Sequence, residues 1–274
     1  MRQEVRWRGL ATSTFAAQLV LLGGPAARAQ EVDEAGAGEA QVEESGEADD
    51  GVGLFVGGEV ELPSRYVWRG LALSDGPALQ PSVWVGAFGF TAWSWANLHL
   101  GAATAADPTW EVDVGLRYDY EWDWLAVGGG FQLYAYPGVE DAPTTGELTV
   151  ELTVPRGPII LATKHFVDLI EYPGAYFGEL SVSLGHEPAD SWSMEWSFAL
   201  GWGSARFNEA YLGPATDAMN TATGGVVVEW RPLELLYLRA RVETTALLDA
   251  ALREATGEPV LFVAALAVGS EWAP

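Results

Sequence analysis

Hydrophobic and polar residues alternate strictly along much of the chain after residue 51. Over 110–120, Trp, Val, Leu and Tyr occupy every even position, while Glu, Asp, Gly and Arg occupy the odd ones. The segments 147–154 and 192–202 repeat the pattern. Because successive side chains of a strand point to opposite faces, this period of two predicts β-strands with one apolar and one polar face. They are longer than the five or six residues typical of strands in globular proteins.

Twelve such segments are predicted along the chain. They cover 54–69, 80–88, 90–100, 109–120, 123–135, 146–154, 158–167, 175–185, 191–202, 218–230, 233–244 and 259–272. Short turns and long loops alternate between them, which is typical of transmembrane β-barrels. The sequence therefore predicts an all-β fold: a single antiparallel transmembrane β-barrel of about 12 strands, with both termini on the periplasmic, short-turn side.

The borders of the predicted strands favour a membrane barrel over a secreted β-sandwich. No segment after residue 30 reaches 18 consecutive apolar residues, which excludes membrane helices. Because a bilayer offers no water to an open sheet edge, spanning strands must close into a barrel. Aromatic residues flank the strands, as in the two headgroup-level girdles of such barrels, whereas a sandwich needs no such borders. They are Trp122, Trp192, Trp230 and Trp272 at predicted periplasmic ends, and Tyr66, Trp68, Trp110, Tyr134, Tyr176 and Trp202 at predicted outer ends.

Composition divides the chain into three parts. A basic start, an apolar stretch over 10–22 and the small-x-small triplet Ala27-Arg28-Ala29 predict a signal peptide at 1–29, and therefore export to the cell outer membrane. Nine acidic residues and no basic one predict that 30–50 is a disordered acidic spacer. A binding tail for a basic partner or for cations is the alternative for this segment. The remaining residues, 51–274, are the predicted outer-membrane β-barrel.

Charge and composition exclude several classes of function. The net charge of −24 argues against nucleic acid, since binding phosphates requires a basic surface. The absence of Cys excludes disulfides, cysteine zinc sites and thiol catalysis. Carboxylates abound but no EF-hand-like loop appears, so we expect no cofactor and no metal site. No spacing places His99, His165 or His186 beside a nucleophile or a carboxylate pair, so we expect no enzyme.

Two neighbouring motifs carry a family resemblance. Tyr66-Val-Trp-Arg-Gly70, followed by Ser74-Asp-Gly-Pro-Ala-Leu-Gln80, resembles the N-terminal signature of the TorF-type porin family, a conserved group of outer-membrane proteins of unknown function. The segments 90–97, 111–113 and 136–138 are similar in style, and beyond about residue 140 only the alternation continues. The resemblance implies an outer-membrane location and a pore, but no settled substrate and no catalytic residues.

The polar face of each strand supplies the candidate pore-lining residues, because a charged side chain facing lipid at the midplane costs about 2–4 kcal/mol. The acidic candidates are Glu59, Glu61, Glu111, Asp113, Asp119, Glu147, Glu151, Glu179, Glu195, Glu229, Glu243 and Glu271. The basic ones are Arg65, Arg69, Arg117, Lys164, Arg239 and Arg241. In strands two, three and seven the parity is weak, so Trp84, Trp93, Trp95 and Lys164 could face either way.

Two of the basic candidates depend on how far the first strand continues. If Pro63 is absorbed at a bulge, Arg65 and Arg69 point inward near the outer mouth, and Tyr66 and Trp68 face lipid. The two arginines then form a positive constriction above an acidic lumen.

These features predict a porin-like channel for passive diffusion of small cationic or neutral solutes. Its acid surplus would concentrate cations, and its partners would be outer-membrane lipids and small solutes. The alternatives are a non-conducting structural or adhesin-like barrel, whose charges pair across a filled lumen, and an outer-membrane hydrolase. The sequence leaves the solute, any gating and the oligomeric state open.

Overall fold

The alternating segments form twelve long antiparallel strands that close into a barrel, as predicted. The structure is a computed structural model that describes residues 53–100, 110–137 and 142–274. The predicted signal peptide at 1–29 and acidic spacer at 30–50 lie outside the described residues.

The barrel wall follows chain order. Its strands are β1 (Phe55–Pro63), β4 (Ala78–Ala87), β5 (Phe90–His99), β6 (Trp110–Trp122), β7 (Leu125–Ala135), β8 (Thr145–Arg156), β9 (Ile159–Asp168), β10 (Tyr176–Ala189), β11 (Trp192–Gly203), β12 (Ala218–Leu233), β13 (Leu236–Leu247) and β14 (Val260–Trp272). Each pairs with the next, and β1 pairs with both β4 and β14, which closes the sheet. We call the end where β1 finishes the loop end, and the end where β4 turns into β5 the turn end. Val56 and Trp272 pair with each other at the turn end.

The outside of the barrel is apolar. Val83, Leu116, Phe262 and Leu266 are each more than half exposed, as expected for side chains that face lipid. Tryptophans at the turn end also point outward, and Trp192 and Trp230 stack there with ring centroids 5.7 Å apart. Neither of the two short helices among the described residues is long or apolar enough to cross a membrane.

The first strand ends earlier than the sequence pattern predicted. It stops at Pro63, which has no N–H to continue the ladder, and the chain then leaves the wall. Two short strands, β2 (Val67–Trp68) and β3 (Leu71–Ala72), form a hairpin of their own. Arg69 and Gly70 make its turn with positive φ values of 48° and 87°, the backbone of a tight two-residue hairpin turn. The expectation that Pro63 would be absorbed at a bulge is therefore wrong.

Two of the loops at the loop end contain short helices. Helix α1 (Ala205–Tyr211) follows β11 and is capped by Ser204, whose side chain accepts a hydrogen bond from the Phe207 amide. Helix α2 (Ala250–Thr256) follows β13; it is capped by Asp249 and ends at Gly257 in the left-handed conformation. Both helices bring apolar side chains to the same end of the barrel interior.

Candidate functional site

The polar face of the wall points into the barrel. The predicted pore-lining residues of the twelve long strands share this face: Glu59, Glu61, Glu111, Asp113, Arg117, Asp119, Glu147, Glu151, Glu179, Glu195, Glu229, Arg239, Arg241, Glu243 and Glu271. Lys164, Trp84 and Trp95, whose facing the sequence left open, are buried on the same face, with exposures of 8%, 2% and 6%.

Several of these charges form ion pairs across neighbouring strands. Glu151 on β8 lies between Arg117 on β6 and Lys164 on β9, at 3.0 Å and 3.5 Å from their nitrogens. Arg117 also binds Asp119 on its own strand. These ion pairs balance the charges of Arg117, Asp119, Glu151 and Lys164.

A second set of ion pairs spans the closure of the barrel. Arg239 on β13 binds Glu59 on β1, and Arg241 binds Glu61 at 2.5 Å. Both guanidinium groups cross β14, whose inward residues at this point are the small Ala265 and Ala267. Small side chains on β14 therefore leave room for two ion pairs that join β1 to β13.

Glycines opposite aromatic residues keep large rings close to the wall. Gly57 on β1 pairs with Trp84 on β4, and Gly115 on β6 pairs with Trp93 on β5. A Cβ atom at either glycine would collide with the indole ring that lies over it. Each glycine thus lets a tryptophan lie flat across a neighbouring strand.

The β2–β3 hairpin lies inside the barrel at the loop end. Tyr66 is 1% exposed and packs on Trp95 of β5, with ring centroids 5.5 Å apart. Val67 packs against Leu261 and Val263 of β14. Tyr66 therefore does not face lipid, contrary to the sequence prediction, because the strand that would have carried it outward ends at Pro63.

The hairpin turn reaches the opposite side of the interior. Arg69 donates two hydrogen bonds to the carboxylate of Glu147 on β8, at 2.7 Å and 2.8 Å. A Cβ atom at Gly70 would lie 2.7 Å from Thr221 on β12 and 2.8 Å from Leu247 on β13. The hairpin thus crosses the interior and contacts the inner faces of β5, β8, β12, β13 and β14.

Aromatic rings surround the Arg69 guanidinium. It lies 4.1 Å from the ring centroid of Phe166 and 4.5 Å from that of Trp68, and the rings of Phe177 and Phe207 are also within reach of a cation–π contact. Trp68 faces this cluster, so its predicted position at the lipid boundary is wrong. The predicted positive constriction at the mouth is wrong as well, because Glu147 neutralises Arg69.

The remaining predicted positions at the loop end differ in their surroundings. Arg65 binds Glu258 at 2.8 Å and lies 3.6 Å from Asp75, in the loops above the wall. Tyr134 is buried and donates a hydrogen bond to Glu147 at 2.6 Å, so it does not belong to the outward aromatic girdle.

Tyrosines from two loops donate hydrogen bonds to interior carboxylates, which sequence patterning did not indicate. Tyr211 of α1 donates to Asp168 at 3.2 Å, and Tyr136 donates to Glu111 at 3.3 Å. Burial raises the pKa of both phenols, and the neighbouring carboxylates raise it further. Both therefore stay protonated and act as hydrogen-bond donors.

Two of the histidines lie at different positions on the wall. His165 is on the outward face of β9, where its ring contacts the hydroxyls of Tyr176 at 2.8 Å and Thr163 at 3.2 Å. His186 is exposed near the turn end. Across 53–100, 110–137 and 142–274, no group of three or more His, Asp or Glu side chains is arranged to hold a metal ion.

Comparisons with known proteins find similarity only among solved structures. No family model and no curated protein matches the chain. The KdgM porin is 9% identical, with a TM-score of 0.47, over 80% of this chain and 99% of its own. The NanC porin is 11% identical, with a TM-score of 0.46, over 81% and 100%. An outer-membrane channel from Pseudomonas putida F1 is 10% identical, with a TM-score of 0.46, over 80% and 95%. Each of these proteins is described as a porin or an outer-membrane channel.

Proposed function

We propose that this chain is an outer-membrane, porin-like channel for passive diffusion of small cationic or neutral solutes. The observation that carries the proposal is a closed barrel with an apolar outside and a charged inside. A filled barrel whose interior charges all pair needs no surplus of acidic side chains over basic ones. The predicted signal peptide at 1–29 and the TorF-type resemblance support the location and belong to the same proposal.

The acid surplus of the interior supports a preference for cations. Arg69, Arg117, Lys164, Arg239 and Arg241 all pair with interior acids. Two further inward acids, Asp113 and Glu195, carry carboxylate oxygens without a hydrogen-bond partner among the described residues. Carboxylates that line the aqueous path of a channel attract cations and repel anions.

A non-conducting barrel is the second candidate, and the β2–β3 hairpin is the observation that favours it. Because the hairpin crosses the interior at the loop end, any path must pass beside it or require that it move. The channel therefore admits only small solutes, if the first proposal holds.

Planar bilayers containing the purified full chain distinguish the two candidates. In a KCl gradient at low ionic strength, the channel should give a reversal potential of cation preference. That preference should fade towards molar salt, because the Debye length falls from about 10 Å at 0.1 M to about 3 Å. Replacing Asp113→Asn together with Glu195→Gln should lower the preference. An absence of conductance in wild type would support the non-conducting barrel, and an anion preference would overturn the proposal.

A further inference from the structure

Asp113 has a buried carboxylate that accepts no hydrogen bond from any described residue. Asp113 on β6 is 0% exposed, and neither of its carboxylate oxygens has a hydrogen-bond partner among the described residues. Glu111, the next inward residue of the same strand, accepts a hydrogen bond from the Tyr136 hydroxyl and also interacts with the Tyr66 hydroxyl. An ionised carboxylate in such surroundings requires a counter-charge or hydrogen-bond donors.

Aromatic rings flank Asp113 on both sides. Trp95 of β5 and Tyr134 of β7 are its direct cross-strand partners, and both are buried on the inner face. Directly opposite residues have Cβ atoms about 4.5–5.5 Å apart, so their rings border the carboxylate. Tyr66 of the hairpin packs on Trp95 and adds a third ring to this wall.

The surroundings of Arg69 show that a carboxylate beside aromatic rings binds a guanidinium group in this barrel. There a carboxylate, Glu147, takes two hydrogen bonds from a guanidinium that also lies against aromatic rings. Tyr134 belongs to both places, since its hydroxyl donates to Glu147 while its strand position faces Asp113. Asp113 has the carboxylate and the rings, but no cationic side chain is paired with it among the described residues.

We propose that Asp113, with Glu111 and the rings of Trp95, Tyr134 and Tyr66, binds the guanidinium or ammonium group of a small solute. The inference rests on the proposed channel function and names its substrate class. A planar guanidinium fits because it offers paired donors to one carboxylate and stacks on aromatic faces. A metal ion fits less well, since the described residues present no group of three ligands.

Calorimetric titration of the folded full chain in detergent with methylguanidinium chloride tests the site, with NaCl keeping the ionic strength constant. Wild type should bind one methylguanidinium, and Asp113→Asn should bind it at least about tenfold more weakly, as a charge-assisted pair is lost. Trp95→Leu keeps both carboxylates and should weaken binding about fivefold through the lost cation–π contact. Glu187→Gln is the control: it removes one acidic charge at an exposed position of β10 outside the pore-lining set, and binding should be unchanged.

The titration does not require conduction, so the two proposals fail separately. Binding without conductance would overturn the channel and leave the site intact, whereas conductance without saturable binding would overturn the site alone. Equal losses in Asp113→Asn and Glu187→Gln would show general charge attraction and reject the site as well. If Asp113→Asn gives no folded barrel, Glu111→Gln and Trp95→Leu decide the question, and unchanged affinity in both rejects the proposal.

Discussion

Arg69 is the residue that most changes how the interior is understood. Its guanidinium is almost fully buried and satisfied by Glu147 and by aromatic rings, so it acts as an anchor for the hairpin. The ion pair between Arg69 and Glu147 therefore contributes to the stability of the folded barrel and also holds the hairpin across its interior.

Replacing Arg69→Met should leave Glu147 as an unpaired buried charge and destabilise the folded barrel by about 3–5 kcal/mol. The double variant Arg69→Met/Glu147→Gln should recover part of that loss, because it removes both charges of the buried pair. Denaturant titration of the folded barrel measures both, and planar-bilayer conductance should rise in the single variant. Equal stability of wild type and Arg69→Met would show that the ion pair does not hold the hairpin.

At the residue scale, the sequence pattern identified which side chains point into the barrel wherever a strand was continuous. Alternation is a local property, so inward positions such as Asp113 and Glu195 followed directly from it. Tyr134 was misassigned because the period identifies it as inward, while its aromatic character at a strand end suggested a girdle. The pairing of Arg69 with Glu147 joins residues 78 positions apart, and no local pattern reports such a contact.

Among the elements, the β2–β3 hairpin is the one that crosses the barrel interior. The sequence contained a signal for it: Pro63 ends the ladder, and Arg69-Gly70 makes a tight turn with positive φ values. Its position inside the barrel depends on contacts with β5, β8, β12, β13 and β14. Those partners are distant in sequence, so the placement could not be predicted from the pattern.

A pair of glycine substitutions tests the hairpin as an obstruction. Gly70 and Gly174 both have φ of 87°, so alanine at either position carries backbone strain of about 1–2 kcal/mol. Only at Gly70 would the new Cβ meet neighbours, at 2.7 Å and 2.8 Å, whereas Gly174 has nothing within 4 Å. Gly70→Ala should therefore displace the hairpin and raise single-channel conductance, and Gly174→Ala should not. Wild-type conductance in both variants would place the path away from the hairpin.

For the molecule as a whole, closure is the property that matters. Every long strand has two neighbours, so the sheet has no edge at which detergent begins to unravel it. The ion pairs that cross β14 join β13 to β1 and reinforce the point where the two ends of the sheet meet.

Folded protein should therefore migrate differently from boiled protein on a detergent gel. Ala267→Leu should lower the temperature at which the folded band is replaced by the unfolded band. The larger side chain fills the space over β14 that the Arg239 and Arg241 bridges cross, an overpacking cost of about 1–3 kcal/mol. Ala264→Leu places the same change on the outer face, and its folded band should disappear at the same temperature as that of wild type. Identical migration of heated and unheated wild type would contradict a closed barrel.

The glycines that lie under tryptophans determine how close the indole rings stay to the wall, so adding one methyl group at such a glycine should narrow the interior. Because Trp93 lies flat only while Gly115 lacks a Cβ, Gly115→Ala should lift the indole towards the barrel axis. The largest neutral polymer that still enters the lumen, measured by its effect on conductance, should then become smaller. Gly129→Ala is the control, since its Cβ would meet only a backbone oxygen at an ordinary 3.7 Å. Two residues without a side chain, Gly57 and Gly115, thus set how far the neighbouring indole rings can extend into the interior.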